Sequence, residues 1–113
     1  MSELPRLKSR MLIDAIMRRV QQAGGFAVIL QRGNDSAGAI IIDCRERGEL
    51  VEMLEKTTDF DGATAWRRVP APNAAPANWA DDYGRRRAES DPDLWLIELD
   101  VAAAARFADE ILG

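Results

Sequence analysis

At 113 residues, 47% hydrophobic and 30% charged, the chain has enough apolar material for one globular domain with a real core, which excludes the disordered and low-complexity classes. A net charge of −4 argues against a general nucleic-acid binder, while a single cysteine excludes an internal disulfide framework and fits a reducing compartment. The absence of histidine removes Ser-His and Cys-His nucleophiles and every histidine-ligated metal site.

Residues 1–6 lack the apolar centre of a signal peptide, and no apolar run approaches the roughly 18 residues of a membrane span, so the cytoplasm is the expected compartment. Leu12, Ile13, Ile16, Met17, Val20 and Ala23 recur at three- and four-residue spacing, which predicts an amphipathic helix over residues 7–23. Gly24-Gly25 supplies the left-handed backbone that ends it. Arg6, Lys8 and Arg10 crowd the N-terminal end, where the helix dipole disfavours cations by a few tenths to about 1 kcal/mol each. The plain reading is a solvated end; the sharper one is a cluster waiting for an anion or an acidic partner.

Residues 26–30, Phe-Ala-Val-Ile-Leu, read as a strand buried on both faces. Turn residues at 32–36 then predict a hairpin returning along 37–44, with small residues at its start that allow another backbone to approach. Cys44 reads as a small core hydrophobe. After a turn at 45–48, residues 49–56 fit either period and are assigned to a third strand because the run is short and bounded by turns. Asp59-Phe60-Asp61-Gly62 makes the next turn, and residues 63–69 around Trp66 make a fourth strand.

Three prolines in 70–76 make residues 70–77 a stiff Pro/Ala-rich connector. Asn78 is the expected N-cap of a helix reaching Glu89, with Asp81 and Asp82 at the positive end of its dipole. Arg85, Arg86 and Arg87 lie near its C-terminus, where cations are welcome. Asp91-Pro92-Asp93 stops the helix. Residues 94–99 form a fifth strand, and 101–112 a short helix capped by Asp100 and docked through Phe107 and Ile111.

These elements predict a single α+β domain over 1–113: an N-terminal helix, a four-stranded antiparallel meander, a crossover helix, a fifth strand and a short C-terminal helix. The expected strand order is 5-1-2-3-4. Strand five would then be an edge, apolar on both faces, and Leu94, Trp95, Leu96 and Ile97 become a candidate interface for self-association.

Several segments in a fixed order resemble a family of short bacterial proteins known as a domain of unknown function. They are Pro5 to Met11 leading into Arg18-Arg19, Gly24-Gly25-Phe26-Ala27, Arg32-Gly33, Ala37-Gly38, Asp59-Phe60-Asp61-Gly62 before Trp66, and Arg86-Arg87 before Asp91 to Trp95. The resemblance covers most of residues 4–100 and leaves out the alanine-rich end. It implies no site and no ligand, because the family carries no established activity.

Asp59 to Thr64 looks like a fragment of a calcium loop, but Pro70 stands where the twelfth-position glutamate is required, so turn chemistry explains it better. Gly24-Gly25 precedes a strand, whereas a phosphate-cradling loop precedes a helix. No cofactor, metal or catalytic residue is expected. The leading expectation is a non-enzymatic cytoplasmic domain that binds a protein partner or a second copy of itself. The alternative is a nucleic-acid or other polyanion binder that joins Arg6, Lys8 and Arg10 to Arg85, Arg86 and Arg87 in one surface, with Trp79 or Tyr83 for stacking.

Overall fold

The computed structural model describes residues 8–58 and 63–113. Arg6 and the predicted turn at 59–62, with its calcium-loop fragment, lie outside the described residues. The element order is α1 (Ser9–Gln22), β1 (Phe26–Gln31), β2 (Ile40–Glu46), β3 (Glu49–Thr58), β4 (Thr64–Arg68), α2 (Trp79–Ser90), β5 (Trp95–Asp100) and α3 (Ala104–Leu112). The α+β class holds, and the ambiguous run from 49 onward is a strand. None of the described helices is long and apolar enough to cross a membrane.

The expected stripe organises α1: Ile13, Ile16 and Val20 are buried, Leu12 and Met17 pack at the margin, and Ala23 alone is exposed. The two glycines after it do different jobs. Gly24 takes φ +82°, while Gly25 lies so close to β5 that an added Cβ would stand 2.4 Å from the Asp100 carbonyl oxygen. Between β2 and β3, Arg47 (φ 54°) and Gly48 (φ 80°) form a two-residue turn with both residues left-handed, the twist that suits a tight hairpin.

The strand order is β1-β5-β2-β3-β4, which corrects the expected 5-1-2-3-4. β1 and β2 do not form a hairpin. β5 enters between them, antiparallel to β1 and parallel to β2. Burial explains the choice: Leu94, Trp95, Ile97 and Leu99 are almost wholly inaccessible and Leu96 nearly so, and a strand apolar on both faces gains more inside a sheet covered on both sides than at its edge. β1 takes the edge instead, and its alternate residues are exposed rather than buried.

The eight-residue connection from 32 to 39 steps over the start of β5, a lateral distance of about 10 Å for two strand spacings. This crossing accounts for the small residues expected to admit a backbone. A Cβ on Gly38 would stand 2.0 Å from the Asp93 carbonyl oxygen, and one on Gly33 2.3 Å from it. The Asn34 amide donates to that same oxygen at 2.9 Å, and Trp95 Nε1 donates to the Asn34 carbonyl at 2.8 Å.

Strand alternation divides the core in two. Ile40, Ile42, Cys44, Ile97 and Leu99 face α1 and α3, whereas Ile41, Met53, Leu94 and Leu96 face α2. Gly84 lets α2 sit close to the sheet, with a would-be Cβ 3.1 Å from Leu96 Cδ1, and Ala80 and Ala88 flank it one turn away on either side. Phe107 and Ile111 dock α3 as expected.

Two expected caps differ. Asn78 stands at the N-cap of α2 without a side-chain capping bond. Asp100 does not cap α3; its carboxylate accepts the Arg47 and Gly48 amides at 2.9 and 2.7 Å. The α3 amide at Ala104 is satisfied instead by Glu46 Oε1, from β2, at 3.0 Å.

Candidate functional site

The two predicted basic clusters do not meet. α1 and α2 pack on opposite faces of the sheet, so Lys8 and Arg10 lie on one side of the domain and Arg85, Arg86 and Arg87 on the other. Nor are the α2 arginines bare. Arg85 pairs with Asp82 at 2.6 Å and Glu89 at 3.3 Å, and Arg86 with Asp82 at 3.0 Å. Arg10 is shared between Asp14 and Asp35 at 3.9 and 3.7 Å.

Arg87 has a different environment, on β3. It reaches the buried Glu55 at 2.6 Å and donates to the Tyr83 hydroxyl at 2.8 Å, while that hydroxyl donates to Glu55 and Arg67 approaches the same carboxylate at 3.0 Å. Burial alone pushes the Glu55 carboxyl upward. The Arg87 hydrogen bond and charge, the Tyr83 hydroxyl and Arg67 outweigh it and hold the group below the ordinary carboxylate range.

A second polar cluster lies on the same face, where β2 and β5 run side by side under the start of α2. The carboxylates of Asp43, Asp81 and Glu98 bring oxygens within 4.8 Å of one another, the geometry that could hold a cation. Arg45 engages all three: Asp43 through two 2.9 Å hydrogen bonds, Asp81 at 2.8 Å and Glu98 at 3.6 Å. The guanidinium is thus the counter-ion of the cluster, and a metal would have to compete with it. Burial is the main reason the Asp43 and Glu98 carboxyls are raised; Asp81 adds to both and Asp43 adds to Glu98, against the opposing pull of Arg45. No local pattern signals this cluster, since its three acids are 17 to 55 residues apart and meet only through the sheet and α2.

Beside these acids a groove of about 340 Å³ runs between α2 and the β1 side of the sheet. Leu30, Met53, Gly84 and Leu96 line its apolar part, and Asp81 and Arg85 stand at its rim.

Beyond the groove lies the edge itself. Phe26, Val28 and Leu30 are 64%, 44% and 55% exposed. Among the described residues β1 pairs only with β5, so its outer row of backbone groups has no strand partner. A register shift after Ile29 kinks the strand at Leu30, but it carries no charge and no proline. The opposite edge, β4, is shorter and ends in Arg67-Arg68, the charged blunting usual at a sheet margin. The sequence reading placed the working strand at 94–97. Those residues are buried, and β5 is paired on both sides, by β1 and β2, so the exposed apolar edge lies at β1.

Cys44 is fully buried, and burial, with the negative charges of Asp43 and Glu52, pushes its thiol up to about 12. It is a core residue without thiolate chemistry at neutral pH.

Residues 7–109 match a family described as protein of unknown function, DUF1491. The chain belongs to this family. The match extends past the expected limit at residue 100 into α3, so the alanine-rich end is part of the DUF1491 unit. The fold is similar to the NMR structure of a DUF1491 family protein from Caulobacter crescentus CB15, with TM-score 0.74, 26% identity and coverage of 89% of this chain and 91% of that one. It is similar also to the crystal structure of a DUF1491 family protein from Caulobacter crescentus CB15, with TM-score 0.72, 27% identity and coverage of 90% and 94%. A third similar structure, the solution structure of protein Atu0922 from A. tumefaciens, shares 26% identity over 91% and 92% of the two chains with TM-score 0.70. No curated protein matches the chain.

Proposed function

We propose that this DUF1491 protein is a non-enzymatic binding module of the cytoplasm, and that it works by accepting a strand from a protein partner along β1. The observation that carries the reading is the state of that edge: uncharged, unpaired on its outer side among the described residues, and exposing Phe26, Val28 and Leu30. An extended segment would complete the backbone hydrogen bonds of β1 while its alternate side chains cover those three residues. The polar clusters support a structural role for themselves, since each central carboxylate is matched by an arginine. That matching also weakens the polyanion-binding alternative, because Arg85, Arg86 and Arg87 are already engaged by acids of the domain.

The test is affinity capture from native cell extract with the wild-type protein and with Val28→Lys, followed by amide exchange of the captured complex. The reading expects a partner retained by the wild type, lost with Val28→Lys, and protecting the β1 amides. Partners retained equally by both proteins, with protection elsewhere, would overturn it.

A further inference from the structure

We propose that the strand accepted by β1 is β1 of a second copy, paired antiparallel across a two-fold axis at Val28. This rests on the reading of β1 as the working edge and names its occupant. Two-fold pairing at Val28 sets Val28 against Val28 and Ala27 against Ile29 and brings Phe26 beside Leu30 at the register shift, so that all five apolar positions of the strand find apolar neighbours. Each pair also lies on one side of the joined sheet, as antiparallel pleating requires. Moving the axis to Ala27 would lose Leu30 and bring in Gly25, which has no side chain to pack and is pressed against the Asp100 carbonyl.

Charge favours a copy of the same chain. A strand that meets itself across a two-fold axis brings any charge on or beside that axis close to its own copy, which is why the centre of a self-pairing edge must be neutral. From Gly24 to Gln31 there is no ionisable side chain, and the first charge, Arg32, falls opposite Gly24 beyond the paired stretch. β4 suits self-pairing less well, since two of its five residues are Arg67 and Arg68 and joining it to a copy would gather four guanidinium groups along one seam. The union would merge two five-stranded sheets into one, with both α2 helices on the same face and the exposed Phe26, Val28 and Leu30 side by side along the seam.

A seam of five residue pairs falls short of the roughly 800 Å² per partner of a stable dimer, so the association is weak and rises with concentration. Light scattering or sedimentation from about 10 μM to about 1 mM reads it in the range where such seams form. The wild-type mass is expected to climb from 12.5 kDa towards twice that value. Val28→Lys and Val28→Asp should each stay at 12.5 kDa, because like charges then face each other on the axis, and an equimolar mixture of the two should recover the dimer. Val28 is half-exposed on an edge, and an unchanged circular dichroism spectrum shows that each variant folds.

A wild type that stays monomeric to about 1 mM overturns the self-pairing. So does a Val28→Lys protein that dimerises like the wild type, or a mixture that remains monomeric. Self-pairing can fail while strand acceptance survives: Val28→Lys would then still release a captured foreign partner. If Val28→Lys alters neither mass nor capture, both proposals fall.

Discussion

Arg45 clasps Asp43 with two parallel hydrogen bonds, Nε to Oδ1 and Nη2 to Oδ2, each 2.9 Å, and Asp43 is only 3% exposed. A buried carboxylate held this way depends on its partner, whose removal leaves an uncompensated charge. Arg45→Met should destabilise the domain by about 3–5 kcal/mol in urea unfolding at neutral pH. Restoring apolar balance with Asp43→Leu in the Arg45→Met background should recover much of the loss. Asp81→Ala removes only a solvent-exposed partner of the same guanidinium and should cost about 1 kcal/mol or less.

Glu55 and Asp43 make opposite contributions to acid stability. The Glu55 carboxyl is held below its ordinary value of 4.5, so the folded state sheds that proton more readily than the unfolded chain. Its stabilising effect is present above pH 4.5 and is lost as pH falls through the depressed value. The Asp43 carboxyl is raised above 3.8, so its contribution runs the other way and stability falls as pH rises from 3.8 through the raised value. Urea midpoints across acid pH should therefore drop less steeply in Glu55→Gln than in the wild type, and more steeply in Asp43→Asn. Equal slopes in all three proteins would contradict both assignments.

The three consecutive arginines of α2 should not behave alike. Arg85 and Arg86 are more than half exposed with exposed partners, and alanine there should cost about 0–1 kcal/mol and less at high salt. Arg87 touches the buried Glu55 and Tyr83, and Arg87→Ala should cost about 2–3 kcal/mol, discounted from a fully buried pair because Arg67 remains beside Glu55. Thermal or urea unfolding of the three single variants measures the contrast.

Gly24 and Gly38 are both constrained positions, the first by its backbone conformation and the second by lack of space. Alanine at Gly24 meets open space but must hold φ +82°, a penalty of about 1 kcal/mol. Alanine at Gly38 would collide with the Asp93 carbonyl and push the connection off the start of β5, at the upper end of the roughly 1–3 kcal/mol of overpacking. Gly38→Ala should therefore unfold at the lower urea concentration, and its amide spectrum should shift around Asn34 and Trp95.

Local chemistry was legible along the chain. The three helices and five strands of the described residues follow from apolar spacing, turn residues and proline, and the order of short motifs is enough to indicate the family. Even the small residues at the crossing were correctly read as a place where backbone comes close, though not as the crossing itself. The apolar runs at 26–30 and 94–99 were the failure. Each is compatible with a buried strand, and periodicity cannot say which of two such runs lies between neighbours and which lies at the margin.

The secondary elements, the α+β class and the lack of histidine chemistry are all readable from the chain, because each depends on residues a few positions apart or on composition. That β5 divides β1 from β2, that α1 and α2 take opposite faces, and that Arg45 and Arg87 answer buried acids emerges only in the folded domain. Those outcomes come from competition among distant segments for the inner positions of one sheet, and of β1 and β5 the strand that buries more on both faces takes the inner place. The losing strand, β1, is left with Phe26, Val28 and Leu30 in water.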